Sequence, residues 1–432
     1  MYSTGALGQP VSANVRPHEK PEIRGNAPSS ISAPGKVVES VRQLHIRPVP
    51  YGVSMKSVQA LITILLLTVM EMAAAQSGCI QAFKNPHQIY SYNEAKSSTT
   101  PLSLAAGEPL STVIYKARKE SQNSTLEEYL GKFCTTGFLV LHKGQVVFER
   151  YLQGVQPNDA LLSASMSKTI FSLIIGVAIA EGKLALDDRV QEVLPDFESS
   201  AFADDTIEEL LRMTSGVALK NSYLRGETSD NQATNPMISP RQNMRTYLRQ
   251  KKEFAASGKR FDYNGAVTAL LGLALSARTG KSNTDYLEEK LWVPMGAKSS
   301  GYWIKNNSGQ EGVQGQFAAT LSDYARLGYL VMNQGSINGK QVIPAPWIAQ
   351  MSTLRRDRPQ PSRPPYYGLH VWIPQAAGGR SFFWGTNGQN IFVDPIAQVV
   401  IVHTGNSPNA EFHGNDHLFP LRDAIVAKLT SR

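Results

Sequence analysis

A chain of 432 residues that is 42% hydrophobic and 18% charged holds enough apolar material for one large core or two modest domains, which excludes disorder along its whole length. The formal net charge of +8 is scattered without a basic stripe, so nucleic-acid binding gains no support. Seven Lys/Arg and four Asp/Glu fall within residues 1–75, which leaves +5 on the remainder.

Residues 1–54 are rich in Pro, Ser and Gly, keep no apolar period, and read as a disordered extension or a mis-assigned start. Residues 55–75 read as a secretory signal peptide. Met55-Lys56 opens a basic region, Ala60 to Met70 is an eleven-residue hydrophobic run, and Ala73-Ala74-Ala75 supplies small residues for cleavage after Ala75. Because a signal peptide normally begins a protein, Met55 is the expected start. The hydrophobic run is short for a bilayer and Glu71 closes it, so no stable membrane span is expected. Gln76 stands where a lipoprotein signal would want Leu, which argues against lipid attachment at Cys79. The expected location is periplasmic or secreted, and there Cys79 and Cys134 either pair or remain two buried thiols.

From about residue 135 the text becomes regular. Thr136 to His142 and Gln145 to Tyr151 flank Lys143-Gly144, which predicts a β-hairpin. Thr169 to Ala180 is apolar nearly all round, a helix buried in the middle of a domain. Thr206 to Met213 predicts a capped amphipathic helix, and residues 217–242 a long loop rich in Asn, Ser and Thr. Helices are predicted at Ala266–Thr279, Thr284–Trp292 and Ser322–Asn333, then strands at Tyr367–Ile373, Ser381–Trp384, Gln389–Val393 and Val399–His403, and a last helix over Pro420–Thr430. Strands at both ends with helices between predict an α/β (α+β) domain over 76–432. It would have one antiparallel sheet built from the two ends, flanked by helices and carrying an inserted helical subdomain at roughly 185–330.

Chemistry concentrates at Ser165-Met166-Ser167-Lys168, the sole S-x-x-K in the chain. At i, i+3 on a helix start, a lysine amine reaches a serine hydroxyl, and the backbone N–H groups and positive dipole end lie where an oxyanion would form. Ser and Lys are common enough that the tetrapeptide also arises by chance as a cap followed by a surface lysine, so context decides. Two phrases compete to supply a proton relay: Phe261-Asp262-Tyr263-Asn264-Gly265 before an Ala/Leu-rich helix, and Ser229-Asp230-Asn231.

These phrases, together with Leu210-Leu211-Arg212-Met213-Thr214-Ser215-Gly216, Trp292-Val293-Pro294-Met295-Gly296 and Leu321-Ser322-Asp323-Tyr324, resemble the serine β-lactamase and penicillin-binding-protein superfamily over about 135–430. The closest likeness is to its class C-like branch of esterases, D-amino-acid peptidases and 6-aminohexanoate-dimer hydrolases. The resemblance implies Ser165 as nucleophile, Lys168 as base and Tyr263 as proton relay. It also implies an oxyanion donor near Thr386 in Phe383-Trp384-Gly385-Thr386-Asn387-Gly388-Gln389, and substrate contacts from Tyr223 and Asn264. Against that background Ser229-Asp230-Asn231 reads as coincidence.

Two departures stand out. Gly265 sits where the family often has an asparagine, with Asn264 one place earlier, and no Lys-Thr-Gly occurs, since His403-Thr404-Gly405 falls on the wrong strand. The expected activity is therefore hydrolysis of a small amide or ester through an acyl-enzyme. A β-lactamase, a D,D-peptidase and a non-catalytic ligand-binding or sensor domain are the alternatives. No cofactor and no metal are expected, because no H-E-x-x-H or Cys/His cluster is present. Substrate identity and oligomeric state are open.

Overall fold

Thr135–His142 and Val399–Gly405 are almost unbroken buried runs, the pattern of strands covered on both faces, and they pair antiparallel inside a seven-stranded sheet, each with a strand on either side. The computed structural model describes residues 79, 83–220, 229–253, 260–374, 378–408 and 414–431, so residues 55–75, expected to be a signal peptide, and Tyr223 lie outside the described residues. In chain order the strands of this sheet are β1 (Thr135–His142), β2 (Gln145–Tyr151), β3 (Tyr366–Tyr367), β4 (Trp372–Ile373), β5 (Ser381–Trp384), β6 (Asn390–Asp394) and β7 (Val399–Gly405). Their spatial order is β3-β4-β5-β6-β7-β1-β2, with every pairing antiparallel. The expected joining of an early hairpin to late strands is what forms.

Side chains alternate between two cores, as the strand period of two requires. Phe138, Val140, Phe392 and Ile401 pack with α1 (Leu126–Lys132) and with α5 (Asn415–Thr430). Leu139, Leu141, Ile391, Val400 and Val402 pack on the other face with α2 (Met166–Ala180), α3 (Gly265–Thr279) and α4 (Leu321–Met332). A second antiparallel sheet of four short strands, Tyr92–Ala95, Gly301–Ile304, Phe317–Ala319 and Leu161–Leu162, was not visible in the sequence pattern. Its last strand delivers the chain to Ser163, whose N–H donates to Phe317 O at 2.7 Å.

Two predicted elements change shape. Tyr367–Ile373 is not one strand but the arms of β3 and β4. The N–H groups of Leu369 and His370 go to Met351 O (3.1 Å) and Leu211 O (2.9 Å) instead of a neighbouring strand, and His370 turns the chain with φ 58°. The final helix starts at Asn415, ahead of Pro420, which lies inside it. Proline removes the N–H that would bond Asp416 O, and that carbonyl instead accepts from Arg118 N at 3.1 Å, which lets the helix pass through the proline. Cys79 and Cys134 are joined by a disulfide, with their Cα atoms 5.6 Å apart.

Helix α2 is held close to its neighbours by Gly176, where an added Cβ would lie 2.2 Å from the buried ring of Trp347. Gly176→Ala gains about 1 kcal/mol of helix propensity, but forcing a methyl into a filled core costs roughly 1–3 kcal/mol or more. The expected outcome is a lower melting temperature in thermal unfolding. A variant as stable as the parent would show that the glycine does not set this spacing.

Candidate active site

Ala164, in the left-handed region at φ 45°, turns the chain sharply between the short strand at Leu161–Leu162 and helix α2, so Ser165 stands at the helix start with φ −66° and ψ −4°. The first turn is wound tightly. Met166, Ser167 and Lys168 donate their N–H groups three residues back, to Ser163 O, Ala164 O and Ser165 O at 3.2, 3.1 and 3.1 Å. Ser165 is half-buried, so its hydroxyl is reachable, whereas Lys168 is 4% exposed.

Lys168 Nζ lies 3.0 Å from Ser165 Oγ, donates to Gln314 O at 2.6 Å, and sits 5.0 Å from the centroid of the Tyr263 ring. The three principal candidates therefore meet in space. Burial pushes the Lys168 ammonium down from 10.5 to about 7. Among the described residues no carboxylate forms an ion pair with it, so nothing offsets the loss of hydration. A neutral amine keeps a lone pair for the serine proton while still donating to Gln314 O.

The small hydroxyls of α2 hold this geometry. Ser167 Oγ donates to Val313 O (2.7 Å) and accepts from Trp303 Nε1 (3.0 Å), which fixes the segment that presents Gln314 O. Thr169 and Ser172 donate to His370 O and Leu369 O at 2.7 and 2.8 Å. The His370 ring bridges α2's surroundings: Nδ1–H donates to Leu211 O (2.8 Å), and Nε2 is left to accept from Thr268 Oγ1 (2.9 Å). Burial holds this imidazole down at about 3, so it is a neutral strut.

Tyr263 precedes α3 on a segment tied to the helical layer by Asp262 N–H to Met213 O at 2.7 Å. Its ring is flanked by Tyr367 at 5.7 Å, edge-on, and by Trp372 at 5.3 Å. Asn264, a candidate substrate contact, is fully buried and caps α3, its Oδ1 accepting from Ala266 N–H at 2.9 Å.

Asn231 is the residue that the sequence reading set aside. Its Oδ1 accepts from Gly265 N–H at 2.5 Å, and a Cβ at Gly265 would lie 2.6 Å from that oxygen. Glycine at 265 thus makes room for an amide from another part of the chain. Asp230 anchors the loop by accepting from Tyr247 Oη and Lys220 N–H, both at 2.5 Å, and from Lys251. The signal that could have found Asn231 is a glycine at the first position of a helix, where propensity gives no reason for one.

Thr386 opens a single 3-10 turn, Thr386–Gly388, directly after β5, and a first-turn N–H has no partner within such a turn. The turn presses on the loop that leads to Ser165, since a Cβ at Gly385 would lie 2.6 Å from Ser163 O and 3.0 Å from Ala164 Cβ. It is braced from β7: His403 Nδ1–H donates to Gly388 O (2.5 Å), Gln389 Nε2 to Gly405 O (2.6 Å) and Asn387 Nδ2 to Ser407 O (2.8 Å). His403-Thr404-Gly405 is thus the support behind the turn. Burial holds the His403 ring down at about 4. Tyr223 falls outside the described residues, and among those described no group of three His, Cys, Asp or Glu could hold a metal ion.

A sequence profile of the beta-lactamase family matches residues 124–421, which takes in Ser165, Lys168, Tyr263 and Thr386. This chain belongs to the beta-lactamase family. A 6-aminohexanoate-dimer hydrolase from Paenarthrobacter ureafaciens is 25% identical over 305 residues, 67% of this chain and 78% of that one. A solved structure from Bacillus anthracis, assigned as a 6-aminohexanoate-dimer hydrolase, superposes with a TM-score of 0.73 at 23% identity, covering 81% of this chain and 94% of its own. A family VIII carboxylesterase superposes with a TM-score of 0.54 at 16% identity, covering 70% of this chain and 93% of its own. At those identities the structures speak for the fold. The chain is a beta-lactamase-family hydrolase with the mixed helix and antiparallel-sheet architecture expected from the sequence.

The lowered Lys168 value sets a pH dependence. Above about 7 the amine is neutral and can take the Ser165 proton; below it the amine is charged and cannot. For an ester substrate, kcat/KM is expected to fall about tenfold per pH unit below that point and to level off above it. A flat profile through neutrality would remove Lys168 as the base.

Proposed function

We propose that this chain is an exported serine hydrolase that cleaves a small linear amide or ester through an acyl-enzyme on Ser165. The single observation that carries the reading is the 3.0 Å contact between the Ser165 hydroxyl and a buried Lys168 amine whose value is lowered to about 7. The Ser165 proton passes to Lys168 Nζ as Oγ bonds the substrate carbonyl carbon. The oxyanion forms beside the N–H groups of Ser165 and Thr386. Tyr263, with the Lys168 amine over its ring, passes a proton to the leaving amine or alcohol as the acyl bond breaks. It then takes one from the water that attacks the acyl-enzyme, and Ser165 Oγ leaves with a proton restored.

Three features favour linear amides and esters over β-lactams. No Lys-Thr-Gly occurs, the support strand carries His403 where it backs the Thr386 turn, and a curated relative carries the name of an amide hydrolase. Export is supported by the hydrophobic run before Ala73-Ala74-Ala75 and by the Cys79–Cys134 disulfide, a bond that reducing cytosol disfavours.

Ser165→Ala is expected to lose both labelling by a fluorophosphonate and hydrolysis of p-nitrophenyl esters. Lys168→Ala should cost several orders of magnitude in turnover, and Tyr263→Phe ~10²–10⁴-fold in kcat. Retained turnover in any of the three removes that residue from its role. A panel of short acyl esters, linear amides and nitrocefin separates the readings. Preference for nitrocefin would favour a β-lactamase, and stoichiometric acylation without release would favour a sensor. N-terminal sequencing of the exported protein should begin at Gln76.

A further inference from the structure

On the sheet face opposite α2, a cleft of about 560 Å³ is lined by Arg118, Arg363, Arg380 and Arg422 together with Phe382 and Phe419. Phe382 belongs to the core under α5, whereas its neighbour Phe383 faces the core that contains α2, so this cleft is separate from the Ser165 site. We propose that the cleft binds a dianionic phosphate group carried on an organic body with an apolar or aromatic portion. The proposal does not rest on the hydrolase reading.

The charge balance selects the ligand. Arg380 donates to the buried carboxylate of Asp394 at 2.6 Å, and Arg422 pairs with Asp423 at 3.0 Å. Arg118 and Arg363 have no carboxylate within ion-pair distance among the described residues; the nearby Asp416 is paired with Lys119 at 2.7 Å. Among the described residues, then, Arg363 has no carboxylate partner and Arg118 only shares the more distant Asp416 with Lys119, which leaves two guanidinium groups without an ion pair of their own. A phosphate monoester carries about −1.5 to −2 at neutral pH and matches them, whereas a single carboxylate leaves one unmet. The planar guanidinium fork also suits a tetrahedral oxyanion, which it can meet with two parallel hydrogen bonds.

Arg118, Arg380 and Arg422 are held in place before any ligand arrives. Arg118 lies 5.2 Å from the Phe419 centroid, and Arg422 lies 4.4 Å from that of Phe392 and 5.3 Å from that of Phe419. The carbonyl that Pro420 leaves without its helical partner holds the Arg118 backbone at 3.1 Å, which fixes where that side chain starts. Burial lowers Arg422 from its ordinary value against the pull of Asp423, and the like charges of Arg380 and Arg118 add to the lowering, so the three guanidinium groups lie close enough to feel one another. Phe382, Phe419, Pro364, Pro365 and Pro374 give the walls an apolar surface for the ligand body. The volume lies within the ~300–1,000 Å³ typical of small-ligand sites.

The test is calorimetric titration of the full chain with phenyl phosphate, inorganic phosphate and benzoate. Phenyl phosphate should bind more tightly than inorganic phosphate, and at least ~10-fold more tightly than the monoanion benzoate. The paired rim substitution Arg118→Gln with Arg363→Gln should weaken phenyl phosphate by ~10-fold or more while leaving the melting temperature and p-nitrophenyl acetate turnover unchanged. The rim pair is chosen because Arg422 is largely buried and its loss would disturb α5. Equal affinity in the paired variant, equal affinity for benzoate, or no heat with phenyl phosphate overturns the proposal. Vesicles of phosphatidic acid in phosphatidylcholine identify the source. Cosedimentation that the paired substitution abolishes assigns a phosphate at a lipid surface, and phenyl phosphate binding without cosedimentation assigns a soluble ester; both support the cleft.

Discussion

The burial of one lysine amine with no acid beside it among the described residues is the constraint on which the candidate site depends. A carboxylate 4 Å from Lys168 would contribute about 4 kcal/mol at an effective dielectric of 20, equivalent to about three pKa units at 1.36 kcal/mol each. That is close to the whole distance between about 7 and the ordinary value of 10.5, so a single acid would return the amine to its charged form. The chain surrounds Lys168 instead with a backbone carbonyl, a serine hydroxyl and the face of an aromatic ring. Each tolerates a neutral amine, and none demands a positive charge as a carboxylate would.

Keeping that arrangement requires close approaches that only small side chains permit. Gly385 lets the Thr386 turn press against Ser163 and Ala164, and Gly265 leaves room for the Asn231 amide beside the start of α3. Serine and threonine hydroxyls on α2 tie the helix to the carbonyls of Val313, His370 and Leu369, so a helix that looks uniformly apolar is registered by a few polar bonds. Two histidines, one on each side, work as neutral braces because burial prevents them from charging. The site is therefore positioned from the helical layer and from the sheet at once.

Much of this was legible in the sequence because the signals are local. The hairpin at β1 and β2, the long helices and the central strands follow from period, capping and turn residues, and Ser165 and Lys168 are three residues apart. Tyr263 needed the resemblance, since nothing in its own surroundings says that it returns to Lys168. The second sheet escaped because its strands are two to four residues long, too short to show alternation. His370 hid within an apolar run that read as one strand, because the carbonyls that claim its backbone and that of Leu369 belong to distant Leu211 and Met351. Asn231 was lost for a similar reason: its partner is the backbone of a glycine, and a missing side chain leaves little trace in the text.

The proline within α5 has a consequence for the order of assembly. A helix that carries a proline needs an outside donor for one carbonyl, and here that donor is the amide of Arg118, which belongs to the strand-forming region before β1. Helix α5 is thus completed by a segment made long before it. Its docking therefore ties residues some three hundred positions apart, and the helix can reach its final form only once the region around Arg118 is already in place.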